Sequence, residues 1–231
     1  AGVPGDGRAL ARARHDDAGA GGVDEPSGHG PGGARLLRVP LGDHGAVGRP
    51  GGDRLQRRAA GGGDVLDGLN RAIDMAEKEY QGLVVGNQGA NFSVGANIGM
   101  IFMMAVEQEY DELNMAIKYF QDTMMRMRYS SIPTVAAPHA MTLGGGCELS
   151  LHADKVVAAA ETYIGLVEFG VGVIPGGGGS KEMALRASDT FKENDVELNR
   201  LREYFLTIGM AKVSTSAYEA YDTGILQKGK D

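Results

Sequence analysis

Two acidic side chains and two glycine-rich loops carry the chemical information in this chain. Leu143-Gly144-Gly145-Gly146-Cys147-Glu148 sets three glycines before a helix-compatible run, and a second acid, Glu168, follows within Gly165-Leu-Val-Glu-Phe-Gly170. Glycine lets bare backbone approach a ligand closely, and a helix start offers unpaired N–H donors with a favourable dipole. Glu148 lies about one helical turn beyond Gly145, so both can face one cavity. Donors for a developing oxyanion beside carboxylates that move protons suit chemistry on a polarised carbonyl.

Upstream, the apolar run Leu83-Val84-Val85 reads as a buried strand that leads into Gly89-Ala-Asn-Phe-Ser-Val-Gly-Ala-Asn-Ile98. Taken in order, three segments of this sequence resemble the crotonase (enoyl-CoA hydratase/isomerase) superfamily. They are Phe92-Ser93-Val94-Gly95-Ala96-Asn97, Gly144 to Glu148, and Glu168 through Ile174-Pro175 to Gly176-Gly177-Gly178-Gly179. The resemblance covers roughly residues 66 to 226. It implies an α/β fold of the crotonase-like ββα spiral type, with the substrate a coenzyme A thioester and no bound cofactor or metal. By the same resemblance the thioester oxygen accepts from the Ala96 and Gly145 amides, Glu148 activates water and Glu168 delivers a proton. Asn97, Ile98, Gly144, Val167 and Gly172 are the substrate-binding positions it implies. Asn97 stands where the family usually has aspartate, a departure expected to touch loop orientation more than chemistry. The expected reaction is hydration of trans-2-enoyl-CoA in fatty-acid β-oxidation. Isomerisation of enoyl-CoA by the same superfamily stays open, as does a non-catalytic CoA-binding or assembly fragment.

The elements that must position these groups alternate between strand and helix patterns, which implies an α/β layout. Leu66, Leu69, Ile73, Ala76 and Tyr80 recur at helical spacing, and Leu113 to Met127 form a second amphipathic stripe. Thr134 to Ala137, Val156 to Ala159 and Tyr163-Ile164 read as short strands. Ser216-Ala-Tyr-Glu219 fits a helix-start capping box, with Gly224 as the stop. Ile98, Met100, Ile101, Phe102, Met103, Met104 and Met115 fit either an adaptable acyl pocket or a plain core helix. The glycines from Gly170 to Gly179 lack the spacing of a Rossmann or phosphate loop and read as a tight turn beside Glu168. His139 and His152 match no nucleophile or metal signature and read as structural; Cys147 is assigned no role.

Composition narrows the remaining classes. A net charge of −7 over 231 residues leaves no basic stripe for nucleic acid. One cysteine excludes a disulfide framework, and no stretch has the length of a membrane span, so the expected location is cytoplasmic. Residues 1 to 69 contain no Lys, Asn, Ile, Met, Phe, Tyr, Thr or Cys. The segment 1–65 therefore reads either as a disordered extension or as out-of-frame translation of a G/C-rich gene, and residues 66–231 as a partial crotonase-like domain. The family's early strands are expected to be missing before Leu66, and its closing helices after Asp231. The resemblance also implies trimers or hexamers. The Lys181-Glu-Met-Ala-Leu-Arg186 run is similar to the C-terminal hydratase part of bifunctional 3-hydroxyacyl-CoA dehydrogenases, which implies an NAD-dependent dehydrogenase domain outside this chain.

Overall fold

A computed structural model describes residues 36–40, 63–194 and 196–231. Two small sheets and the helices between them form two packed layers around a shared central helix. The first sheet is fully parallel, in the order β1 (Leu36–Pro40), β2 (Gly82–Gly86), β3 (Thr134–Ala136), β5 (Lys155–Val156). Parallel strands need long crossovers, and here helices supply them. Helix α1 (Gly63–Glu79) links β1 to β2, while α2 (Ile98–Val106) and α3 (Tyr110–Arg128) lie between β2 and β3. The second sheet runs β4 (Ala140–Leu143), β6 (Thr162–Gly165), β7 (Val213–Ser214), with β4 and β6 parallel and β7 antiparallel.

The apolar stripe expected on α1 is its buried face: Leu69, Ala72, Ile73 and Ala76 are fully buried against Leu83, Met124 and Met127. Each large aliphatic side chain so buried contributes about 1.5–3 kcal/mol. Pro133 stops any helical continuation, and its carbonyl accepts from the Leu83 amide at 2.9 Å, which starts the β2–β3 pairing. On the rim, the Arg126 guanidinium spans Asp74 at 2.6 Å and Glu77 at 2.8 Å, tying α3 to α1. The hydrogen bonds from Arg126 and from the Ser131 amide hold the Glu77 carboxyl down at about 2. A depressed carboxylate stabilises the fold above its ordinary value of 4.5, and that contribution is lost as pH falls through about 2. Arg126→Met is therefore expected to lower stability at pH 7, with the gap to the parent closing near pH 2. Urea unfolding at the two pH values checks this.

One helix belongs to both cores. α4 (Gly145–His152) sends Leu149 into the α1–α3 core and Cys147 and Leu151 into a second cluster with Ile164, Leu166, Met183 and Ile225. Buried on every side, it would be expected to carry apolar residues throughout. Glu148 and His152 break that expectation at 4% and 1% exposure. The second cluster is closed by α5 (Gly179–Asp189), α6 (Glu197–Gly209) and α7 (Glu219–Asp222).

Several expectations change here. β1 lies inside the segment expected to contribute nothing to the fold: it pairs with β2 in register Leu37 to Leu83, and Leu37 is fully buried. A five-residue parallel strand shows no alternation to stand out from a Gly/Ala/Arg-rich background. α1 also starts at Gly63, ahead of the expected boundary. The rest of residues 1–62 lies outside the described residues, and with it the disorder and reading-frame expectation. The Val156–Ala159 strand is reduced to Lys155–Val156. At the Ser216 box, the Ser216 hydroxyl does accept from the Glu219 amide at 3.1 Å, but the Glu219 carboxylate turns to the Thr215 amide at 2.7 Å instead of to Ser216.

Candidate active site

Asn87 starts the first site loop. Its amide side chain donates to the carbonyls of Asn91 and Phe92 and its oxygen accepts from Gly89, an arrangement that closes the turn after β2. Phe92, 1% exposed, anchors the loop in the core. The loop is then stitched to β4 in strand fashion: Phe92 donates to His139, Ser93 to Met141, and Leu143 back to Ser93, at 2.9–3.1 Å. The stitching carries Gly95 onto the Gly144–Gly145 peptide. Gly95 has φ +89°, and a Cβ there would lie 3.1 Å from the Leu143 oxygen and 3.3 Å from the Gly145 nitrogen. Only glycine permits both the dihedral and the approach. Ala96, the next residue on this loop, and Gly145, at the start of α4, both line one opening. Among the described residues, neither of these two amides donates to a backbone acceptor in the contacts that join the loops.

That opening leads into a cavity of about 390 Å³ lined by Ala96, Gly144, Gly145, Glu148, Val167 and Glu168. Its remaining wall is largely apolar, from Ile98, Ile101 and Met104 of α2, Leu113, Ala116, Ile117 and Phe120 of α3, and Val171, Val173 and Ile174. Both acids, both expected amide positions and three of the five expected substrate-binding residues (Ile98, Gly144, Val167) therefore meet in one place.

Asn97 and Gly172 do not. The Asn97 side chain accepts from the Met100 amide at 3.2 Å and caps α2, a task aspartate performs equally well. Gly172, at φ +85°, ends the short 3-10 helix Glu168–Val171 and has open space around it. The Ile/Met-rich set also divides: Ile98, Ile101 and Met104 of α2 line the cavity, while Phe102 and Met103 of α2 and Met115 of α3 are exposed at 63%, 52% and 64%. Neither the pocket reading nor the core reading accounts for all of them.

The two acids differ in support. The Glu148 Oε1 accepts from the Gly179 amide at 2.9 Å, and the Gly177 amide donates to the same carboxylate. Burial still dominates: with the nearby Glu168 charge adding to it, the Glu148 pKa is pushed up to about 7. Glu168 sits on the 3-10 helix, and both its oxygens are buried without a hydrogen-bond partner among the described residues. Burial raises its pKa as well. Both carboxyls are thus easier to protonate than solvent-exposed acids, Glu148 through burial and the charge of its neighbour and Glu168 through burial. Such a pair can take a proton from one atom and give one to another, beside amides able to hold an oxyanion.

The turn Gly176–Gly179 was expected merely to start a helix beside Glu168. Its main work lies with Glu148, and Phe120 packs against Gly177 so closely that a Cβ there would overlap the ring. No sequence spacing links residues 148 and 177, so this pairing was invisible before folding. Phe120, Val171 and Val173 were likewise missed; only the apolar stripe of α3 hinted at the first.

In this α/β fold, two acids and two glycine-bearing loops meet at one largely apolar cavity. The sequence matches the enoyl-CoA hydratase/isomerase family over residues 62–191, and the chain belongs to that family. It is 46% identical over 165 residues to a probable 3-hydroxyacyl-CoA dehydrogenase of Bacillus subtilis (strain 168), a match taking in 71% of this chain. The chain spans 20% of the length of that relative. Among solved structures it is similar to an enoyl-CoA hydratase from Bacillus anthracis at TM-score 0.63 and 23% identity, covering 89% of this chain and 68% of that one. An enoyl-CoA hydratase from Polaromonas sp. JS666 also aligns at TM-score 0.63, with 21% identity, over 84% of this chain and 66% of that one. The fold is thus the crotonase-like α/β fold expected from the three motifs.

Proposed function

We propose that this chain hydrates trans-2-enoyl-CoA thioesters to 3-hydroxyacyl-CoA. The observation that supports the reading is the convergence of Glu148, Glu168, Ala96 and Gly145 on one apolar cavity. The acyl chain lies along the α2 and α3 wall, with its thioester oxygen between the Ala96 and Gly145 amides. Those two hydrogen bonds strengthen as the oxygen gains enolate character, which stabilises the transition state selectively. The ionised Glu148, steered by the Gly177 and Gly179 amides, takes a proton from water as its oxygen bonds to C3. The protonated Glu168 gives its proton to C2 as the enolate collapses. One water is added, and the proton has moved from one acid to the other. The route uses coenzyme A only as part of the substrate. The name of the Bacillus subtilis relative supports placing this step beside an NAD-dependent oxidation of the 3-hydroxyacyl product, carried out by a dehydrogenase domain outside this chain.

Incubating the chain with crotonyl-CoA and, separately, with a 3-enoyl-CoA, followed by mass spectrometry, tests the reading. The expected result is gain of one water on the 2-enoyl substrate. Double-bond migration without a mass change would replace hydration by isomerisation. Binding without conversion of either substrate would reject catalysis by this chain.

A further inference from the structure

We infer that His152 is a positioning residue for Glu148, wedging α4 against the glycine turn whose amides hold the Glu148 carboxylate. This deepens the proposed function, since it assumes that Glu148 is the group that activates water.

The imidazole stands in the last turn of α4 at 1% exposure. Its Nδ1 lies 2.7 Å from the Glu148 carbonyl oxygen. A carbonyl only accepts, so Nδ1 carries the proton and Nε2 the lone pair. Nε2 in turn lies 3.1 Å from the Lys181 ammonium, a donor, which fixes the same tautomer. The ring also lies against Gly178. A Cβ on Gly178 would fall 2.6 Å from the ring Cε1 and 2.8 Å from Nε2, a contact open only to a glycine, here at φ +120°. Gly178 is flanked by Gly177 and Gly179, the two residues whose amides reach the Glu148 carboxylate. One ring thus touches the backbone of Glu148 on one side and the centre of its carboxylate cradle on the other.

The surroundings make the wedge rigid. From α5 the ring faces Lys181 and Glu182, and the Glu182 carboxylate lies 3.6 Å from Nε2. Glu182 is held by Lys181 at 2.9 Å and by Arg128 of α3 at 3.0 Å. The Glu182 amide also donates to the Gly178 carbonyl at 2.9 Å, locking the turn to α5. Burial, together with the Lys181 and Arg128 charges, holds the His152 pKa below the usual histidine value, so the ring stays a neutral, fixed donor. Facing the Glu148 carboxylate from another element is Glu168.

Removing the ring leaves space beneath Gly178. The turn then relaxes away from α4, and Glu148 loses donors that favour its charged form. The test follows the Glu148 carboxyl directly by carbon NMR of protein labelled at glutamate, assigned through Glu148→Gln, so it does not depend on turnover. In His152→Ala the Glu148 midpoint is expected to move up by about half a pH unit or more. His152→Asn, which keeps a donor near the Nδ1 position, is expected to move it less, and Lys181→Met, which frees the tautomer, by a smaller amount in the same direction. Hydration kcat at pH 7 in His152→Ala is expected to fall about 10- to 100-fold, with KM changed less than about threefold. A folded His152→Ala with the parent midpoint overturns the inference. If His152→Ala does not fold, unshifted midpoints in both His152→Asn and Lys181→Met overturn it equally. A shifted midpoint in a chain that hydrates nothing keeps the wedge and rejects the hydratase reading.

Discussion

Replacing Glu148 by glutamine is expected to cut crotonyl-CoA hydration by about 10²–10⁴-fold, the usual scale for losing a general base. The side chain keeps its size, and its oxygen can still accept from the Gly179 amide, so the loss isolates proton transfer from packing. The same substitution has a second, opposite signature in stability. The Glu148 pKa is raised to about 7 in the fold, so folding favours its protonated form more than the unfolded chain does, while its ionised form is populated near pH 7. The stabilising contribution is complete below 4.5 and is lost as pH rises through about 7. That interval corresponds to about 3 kcal/mol at most. Glutamine escapes this loss, though its Nε2 faces the Gly177 amide and carries a pH-independent penalty. The stability of Glu148→Gln relative to the parent should therefore improve between pH 5 and pH 8 by up to about 3 kcal/mol. Denaturant unfolding at both pH values measures it. A difference that stays constant with pH would mean that Glu148 is not the buried, high-pKa acid described above. Glu168→Gln is expected to lose activity on the same scale, since no other carboxyl lines the cavity besides Glu148 among the described residues.

The second large effect is expected at Gly177→Ala, a change of one methyl group. The added carbon would overlap the Phe120 ring and come within 2.5 Å of the Glu148 Oε2. Phe120 packs against the first core and the turn is pinned through Gly179, so ring, turn and carboxylate must shift together to make room. Overpacking of this kind costs about 1–3 kcal/mol of stability. The catalytic cost should be larger in proportion, because displacing a reacting group by about 1 Å can lose about 10²-fold in rate. Steady-state assay and urea unfolding of the same variant separate the two effects. Gly172→Ala is the contrasting control: Gly172 has a positive φ, which Gly177 lacks, but nothing lies within 4 Å of its Cβ position. It should show backbone strain with little loss of activity. Equal activity losses in the two variants would show that turn geometry, not the clash with Glu148, governs the rate.

Local patterns already specified much of the fold. The spacing of Leu66, Leu69, Ile73 and Ala76 describes the buried face of α1, because a helix repeats its faces within a single segment. The glycine runs were visible for the same reason: a backbone conformation closed to other residues marks the sequence at the position where it occurs. β1 was not visible, because a five-residue strand in a parallel sheet has no periodicity long enough to stand out from its background. Asn97 and Gly172 have local tasks that the sequence did not separate from substrate contact: one caps a helix and the other ends one.

By itself, the sequence determined which groups were available: two acids, three glycine-bearing segments in order, and apolar stretches that suit a pocket or a core equally well. Only the tertiary structure decided what those groups do to one another. The pairing of Glu148 with Gly177 and Gly179, the position of His152 beneath Gly178, and the bare oxygens of Glu168 all join residues far apart in the chain. Burial and through-space charge set the protonation of these acids, and neither quantity exists until distant segments pack.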